Sequence, residues 1–128
     1  MEKYKCTEPK IGDIIKVEIS SNLYHFGLYI GDDKIIHYGT KDFLNNKEDV
    51  CVNITSMEDF LGGKMALVRV FSFSEKFKKN SRKKSVKLAL DRLGEKKYDP
   101  LNNNCEHFVN ECVFNKHISN QANKYLKK

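Results

Sequence analysis

The hydrophobic period changes once along this chain, from two residues to three or four, and that change constrains the order of its elements. Ile15, Val17 and Ile19 alternate with Lys16 and Glu18 behind the turn residues Gly12-Asp13, the pattern of a half-buried strand. Leu23 to Ile30 and Lys34 to Gly39 follow, separated by Gly31-Asp32-Asp33, and read as a β-hairpin. Val50, Val52 and Ile54 alternate around Cys51 and Asn53. Beyond Gly62-Gly63, Met65 to Phe73 is a last strand rich in β-branched and aromatic residues. After it the spacing lengthens. Val86, Ala89, Leu90 and Leu93 recur at i, i+3, i+4, i+7, with Ser81 or Ser85 as N-cap and Gly94 as the stop. Asp99-Pro100 breaks the chain, Asn102-Asn103-Asn104 offers capping side chains, and a second helix runs from Cys105 to about Asn115. The tail, Ile118 to Lys128, adds a short helix. Strands first and helices later predict an α+β fold: an antiparallel sheet of about four to six strands packed on two or three helices, in one domain over residues 1–128.

No run approaches the roughly 18 apolar residues of a spanning helix, and Met1-Glu2-Lys3-Tyr4-Lys5 lacks the apolar core of a signal peptide. The expectation is a cytoplasmic protein, peripheral to membranes at most, and a monomer. Cys6, Cys51, Cys105 and Cys112 form no Cys-x-x-Cys pair and are expected as free thiols. Lys and Arg number 23 against 17 acids, a net charge of +6, which favours anionic surfaces. Lys76, Lys78, Lys79, Arg82, Lys83, Lys84 and Lys87 concentrate that charge just ahead of the first helix. This stretch, Lys79, Lys83 and Lys84 above all, is expected to dock on an anionic membrane rather than on nucleic acid. A solvated helix face is the plain alternative.

Cys105 opens a helix, where unpaired N–H groups and the macrodipole favour an anion. A thiol attacks as thiolate, so a base or a helix N-terminus must lower its pKa from about 8.5, and this sequence is expected to supply both. The same amides can hold an oxyanion. A buried cysteine beginning an amphipathic helix is the plain alternative. His107 is close in sequence, but i and i+2 on a helix point about 200° apart, so it reads as a packed histidine. Cys105, His107, Cys112 and His117 are spaced faintly like a zinc knuckle. On a continuous helix only Cys105 and Cys112 share a face, about 10.5 Å apart along the axis, so no metal and no cofactor is expected.

The base must then come from the hairpin. With Gly31-Asp32-Asp33 as the loop and Ile30 opposite Lys34, Phe26, Leu28 and Ile30 share one face with Ile36 and Tyr38. His25, Gly27 and Tyr29 share the other with Ile35, His37 and Gly39. Gly27 then lies opposite His37, with His25 its diagonal neighbour, and leaves room between the rings. A two-residue loop would turn His37 to the opposite face.

Gly12-Asp13-Ile14-Ile15, His25-x-Gly27-x-Tyr29-x-Gly31, His37 and Asn104-Cys105-Glu106-His107-Phe108-Val109-Asn110-Glu111 together resemble the lecithin:retinol acyltransferase family. Within it they resemble the small phospholipase A/acyltransferase branch (Ha-Ras-like suppressors), and the family belongs to the permuted papain-like, NlpC-type thiol enzymes. Leu90 to Gly94 and Tyr98 also fit. The resemblance implies Cys105 as nucleophile, His25 as general base and then acid, and His37 as the third member that polarises His25. It implies a glycerophospholipid acyl donor whose fatty acyl group passes to Cys105 as thioester, then to water, an amine or a hydroxyl. Asn104 and Tyr24, beside the thiol and the first histidine, are candidates for substrate or oxyanion contact. Tyr24 stands where the close branch often has Arg. The family's Leu-Arg-Tyr-Gly is here Cys112-Val113-Phe114-Asn115, and Tyr125-Leu126-Lys127-Lys128 stands where many members continue into an apolar anchor helix. Two other functions fit the same fold, an NlpC-type amidase or peptidase and a non-catalytic interaction module.

Overall fold

The computed structural model describes residues 2–40 and 50–126. Six strands, β1 (Lys3–Lys5), β2 (Ile14–Ser20), β3 (Leu23–Gly31), β4 (Lys34–Thr40), β5 (Val50–Ser56) and β6 (Leu67–Val70), form one antiparallel sheet in the order β1-β6-β2-β3-β4-β5. Among the described residues five helices accompany it: α1 (Met57–Leu61), α2 (Phe73–Lys78), α3 (Arg82–Leu90), α4 (Cys105–Phe114) and α5 (Asn120–Leu126). The fold is α+β, as the change of period predicts. The expected reach of the tail helix to Lys128 lies partly outside the described residues.

Period-two alternation divides the sheet into two faces. Ile14, Phe26, Leu28, Ile36, Tyr38 and Val52 pack on one side against Ala89 of α3 and Phe108, Val109, Cys112 and Val113 of α4. Ile15, Val17, Ile35 and Val68 pack on the other against Phe60 of α1. Cys105 belongs to the first side. His25 and His37 lie against Phe60, their ring centroids 5.3 and 5.8 Å from its own.

Ser81, not Ser85, caps α3, and Asn115 closes α4 in the left-handed conformation. The hairpin turn differs from expectation. Gly31 pairs with Lys34 across a two-residue turn, Asp32 and Asp33, both at positive φ (51° and 54°). A bulge between Tyr29 and Gly31 inserts one extra residue on β3. The two departures cancel, and Gly27 lies opposite His37.

Towards its far end the hairpin splits. β3 pairs with β4 only from Gly27 onward, yet continues along β2 to Leu23, while β4 continues along β5 to Thr40. Even-numbered residues of β3 direct their backbone groups towards β4, so those of Phe26 and Tyr24 face a gap that no strand of the described residues fills. The N-terminal ends of α4 and α5 fill it.

Candidate active site

Asn104 is the N-cap of α4, its Oδ1 accepting from the N–H groups of Glu106 (2.9 Å) and His107 (3.0 Å). His107 completes a capping box by accepting the Asn104 N–H on Nδ1 at 3.0 Å, and its ring stacks on His117 at 4.2 Å. It is the packed histidine its position in the helix predicts. The Asn104 amide donates to the Pro100 carbonyl at 2.9 Å and to Ser119 Oγ at 3.0 Å. With both ends engaged, Asn104 shapes the helix start and has no donor free for substrate.

Cys105 lies in the gap of the split hairpin. The N–H groups of Phe26 and Cys105 are directed at its sulfur, and the Glu106 N–H, whose main acceptor is Asn104 Oδ1, lies near it as well. The sequence leads one to expect a lowered thiol pKa, and the structure overturns that. Burial outweighs the amide donors, the Glu106 charge adds to it, and the thiol is pushed up to about 11. The resting group is a neutral thiol, which could act as a nucleophile only with a base at hand.

His25 and Cys105 line one cleft of about 590 Å³, together with Ile19, Leu23, Tyr24, Tyr98, Leu101, Ala122 and Tyr125. His25 also lines a second cleft, with Tyr98, Glu58, Asp59 and Lys64. Behind it runs a hydrogen-bonded chain: His25 Nε2 to His37 Nδ1 at 2.7 Å, then His37 Nε2 to Asn53 Oδ1 at 3.2 Å. The Asn53 amide group donates to the carbonyls of Cys51 (2.9 Å) and Gly39 (3.2 Å), which settles its orientation. Asn53 Oδ1 must accept, so His37 carries its proton on Nε2 and presents a bare Nδ1. His25 must then donate from Nε2, which leaves its Nδ1 unprotonated and able to take a proton. Burial holds both imidazoles well below the usual histidine range, and the proximity of His37 adds to the effect at His25.

The glycine this pair needs is Gly39 rather than Gly27. A Cβ on Gly39 would stand 2.8 Å from His37 Nδ1 and 3.0 Å from His25 Cε1. One on Gly27 would meet Ile35 and Phe60 instead.

The histidine shift sets a pH dependence. His37 is fully buried with a pKa of about 4, against about 6.5 unfolded, so below pH 6.5 the unfolded chain binds the proton more readily. Stability is complete above that window and falls as pH falls through it. Between pH 7 and 5 the urea-unfolding free energy should drop by about 2 kcal/mol from this group. His37→Gln should remove that part of the loss.

The structure gathers Cys105, His25, His37 and Tyr24, and adds Asn53 and Tyr98. It does not bring Lys79, Lys83 and Lys84 to them. Asn80 is hydrogen-bonded to the Cys112 and Val113 carbonyls, so this basic stretch sits at the opposite end of α4, about 12 Å along the axis from Cys105.

A cysteine opening a helix against an antiparallel sheet, with its histidines earlier in the chain, is the arrangement of NlpC-type, papain-like thiol folds in permuted order. The chain belongs to the lecithin retinol acyltransferase family, which it matches over residues 7–118. It is 30% identical to the lecithin retinol acyltransferase of Bos taurus over 135 residues, covering 89% of this chain and 58% of that protein. Against the Homo sapiens lecithin retinol acyltransferase the identity is 28% over 143 residues, covering 95% and 62%. Human phospholipase A and acyltransferase 4 is 28% identical over 130 residues, covering 91% of this chain and 77% of its own. The chain thus spans about three-fifths of the lecithin retinol acyltransferases it matches.

Proposed function

We propose that this chain is a thiol acyltransferase with phospholipase A activity, moving a fatty acyl group from a glycerophospholipid through a thioester on Cys105. The carrying observation is the apolar cleft that joins Cys105 to a base-competent His25. His25 Nδ1 takes the thiol proton as Sγ attacks the ester carbonyl. The oxyanion faces the Cys105 N–H, since the Glu106 N–H is already given to Asn104. Collapse of the intermediate breaks the ester C–O bond, and His25 returns its proton to the departing lysophospholipid oxygen. Water, an amine or a hydroxyl then attacks the thioester, His25 taking that proton and delivering it to the leaving sulfur. His37, oriented by Asn53, keeps the His25 ring in register throughout.

Incubation with mixed phospholipid vesicles should add one fatty-acyl mass to the protein. A panel of peptide amides tests the amidase alternative, and acylation by neither class would leave an interaction module.

Among the described residues no helix is long and apolar enough to cross a membrane. The mouth of the cleft is edged by Ile19 (52% exposed), Leu23 (45%) and Tyr125 (67%), and we take this rim to meet the bilayer of the donor lipid. Binding to vesicles of phosphatidylcholine with added phosphatidylserine should therefore change little with salt or phosphatidylserine content and fall when Leu23 and Tyr125 are both made Asp. Charge reversal of Lys79, Lys83 and Lys84 should leave it nearly unchanged. Salt-sensitive binding lost in that triple variant would return docking to the basic stretch.

A further inference from the structure

Two sets of hydrogen bonds, one beside the base and one beside the nucleophile, end on the same few residues of the chain leading into α5. Gln121 accepts the Tyr24 N–H on Oε1 at 2.7 Å and returns its own amide to the Tyr24 carbonyl at 3.1 Å. One side chain thus stands in for the missing strand along β3, at the residue next to His25. The Gln121 N–H and the Ser119 hydroxyl both donate to Glu106 Oε1, at 3.0 and 2.9 Å. Ser119 Oγ also accepts from Asn104 Nδ2 at 3.0 Å and from the Ala122 N–H at 3.2 Å. Asn104 and Glu106 flank Cys105, and with Ser119 they are buried.

β3 and α4 meet across the split in the hairpin, where no backbone ladder sets their spacing. We propose that Gln121 and Ser119 are positioning residues. Together they strap residue 24 to residues 104 and 106, and so set the reach of His25 to the Cys105 sulfur. Gln121 lines the cleft, but the hydrogen bonds of both side chains go to Tyr24, Asn104, Glu106 and Ala122 rather than to Cys105 Sγ or the His25 ring. The inference rests on the thiol–imidazole reading above but not on any particular substrate. A displacement of about 1 Å between catalytic partners is enough to cost about 10²-fold in rate. Without the Gln121 side chain, the Tyr24 N–H and C=O lose their partners, and the end of β3 beyond Phe26 loses its hydrogen-bonded link to the α4 start.

The test reads the thiol directly, without an acyl donor. Iodoacetamide alkylation is mapped to Cys105 by mass in the full chain, alongside kcat and KM on vesicles. Gln121→Met keeps the size of the side chain and removes both hydrogen bonds to Tyr24. It should slow Cys105 alkylation at pH 7 by about 10²-fold, the scale of a lost general base. In a His25→Ala background the same change should do nothing further. On vesicles kcat should fall with KM nearly unchanged. Gln121→Glu should recover part of the rate as pH is lowered, since a protonated carboxyl again offers one acceptor and one donor. Ser119→Ala loosens only the α4 side and should give an intermediate effect, which also serves if Gln121→Met fails to fold. Alkylation at the wild-type rate in these variants, or equal slowing with and without His25, overturns the proposal. Strap-dependent alkylation in a protein that acylates on no lipid would instead reject the substrate assignment and keep the strap.

Discussion

Cys105→Ala should abolish both the fatty-acyl adduct and turnover on vesicles, a loss of about 10⁴-fold or more. In the proposed route no other group makes the covalent bond, and among the described residues Cys105 is the only thiol that lines the cleft. Cys112→Ala is the control. Cys112 lies on the same helix but is buried in the core among Phe108, Val109 and Val113. Its burial pushes the thiol up to about 12, and its replacement should cost some stability while leaving the adduct in place. Persistent hydrolysis by Cys105→Ala would remove the thioester from the mechanism.

His25→Ala should be nearly as damaging, since a thiol held at about 11 yields almost no thiolate at neutral pH unaided. His37→Gln should retain part of the activity. The hydrogen-bonded chain explains the difference, because His37 serves His25 as an acceptor, and a glutamine carbonyl oxygen also accepts. A leucine at position 37 offers no acceptor and should fall towards the His25→Ala level. Equal activity in the Gln and Leu variants would mean that His37 only fills space. Rate measurements on all three, with Cys105 alkylation alongside, separate lost orientation from lost chemistry.

Which parts of this were legible beforehand follows from the range of the interactions involved. The strands from Ile14 to Ile54 alternate cleanly, and α4 announces itself through Asn104 and its apolar face, so the sheet and the helix that begins at Cys105 could be placed from local pattern alone. β1 is three residues long and owes its existence to pairing with β6, while α1 and α2 are too short to display a period. The facing of His25 and His37 could be argued from the hairpin, although the route to it, a tight turn plus a bulge, could not. Asn53 stands directly across from His37 on β5, but the length of chain between β4 and β5 hid that register. A polar residue at an inward position of an apolar strand was the available signal. Gln121 and Ser119 gave no signal at all, because their partners lie 97 and 13 residues away. The thiol's raised pKa was equally invisible, since it depends on how completely the core closes over the sulfur.

The bulge in the β3–β4 hairpin has a consequence for how this region can change length. Side chains alternate between sheet faces, so what matters is whether the number of residues separating two paired positions is odd or even. Asp32-Asp33 alone would give the wrong parity, and Ile30 is the spare residue that corrects it. If the strands re-zipped without the bulge but kept the two-residue turn, Gly27 would face Tyr38, and His37 would turn into the helix-side core. The hairpin would still be a hairpin, and the protein would be folded but without its relay. Deleting Ile30 itself would remove the bulge while leaving Gly27 opposite His37. Position 30 is therefore where this hairpin can lose a residue, keep its two-residue turn and leave His25 and His37 on one face.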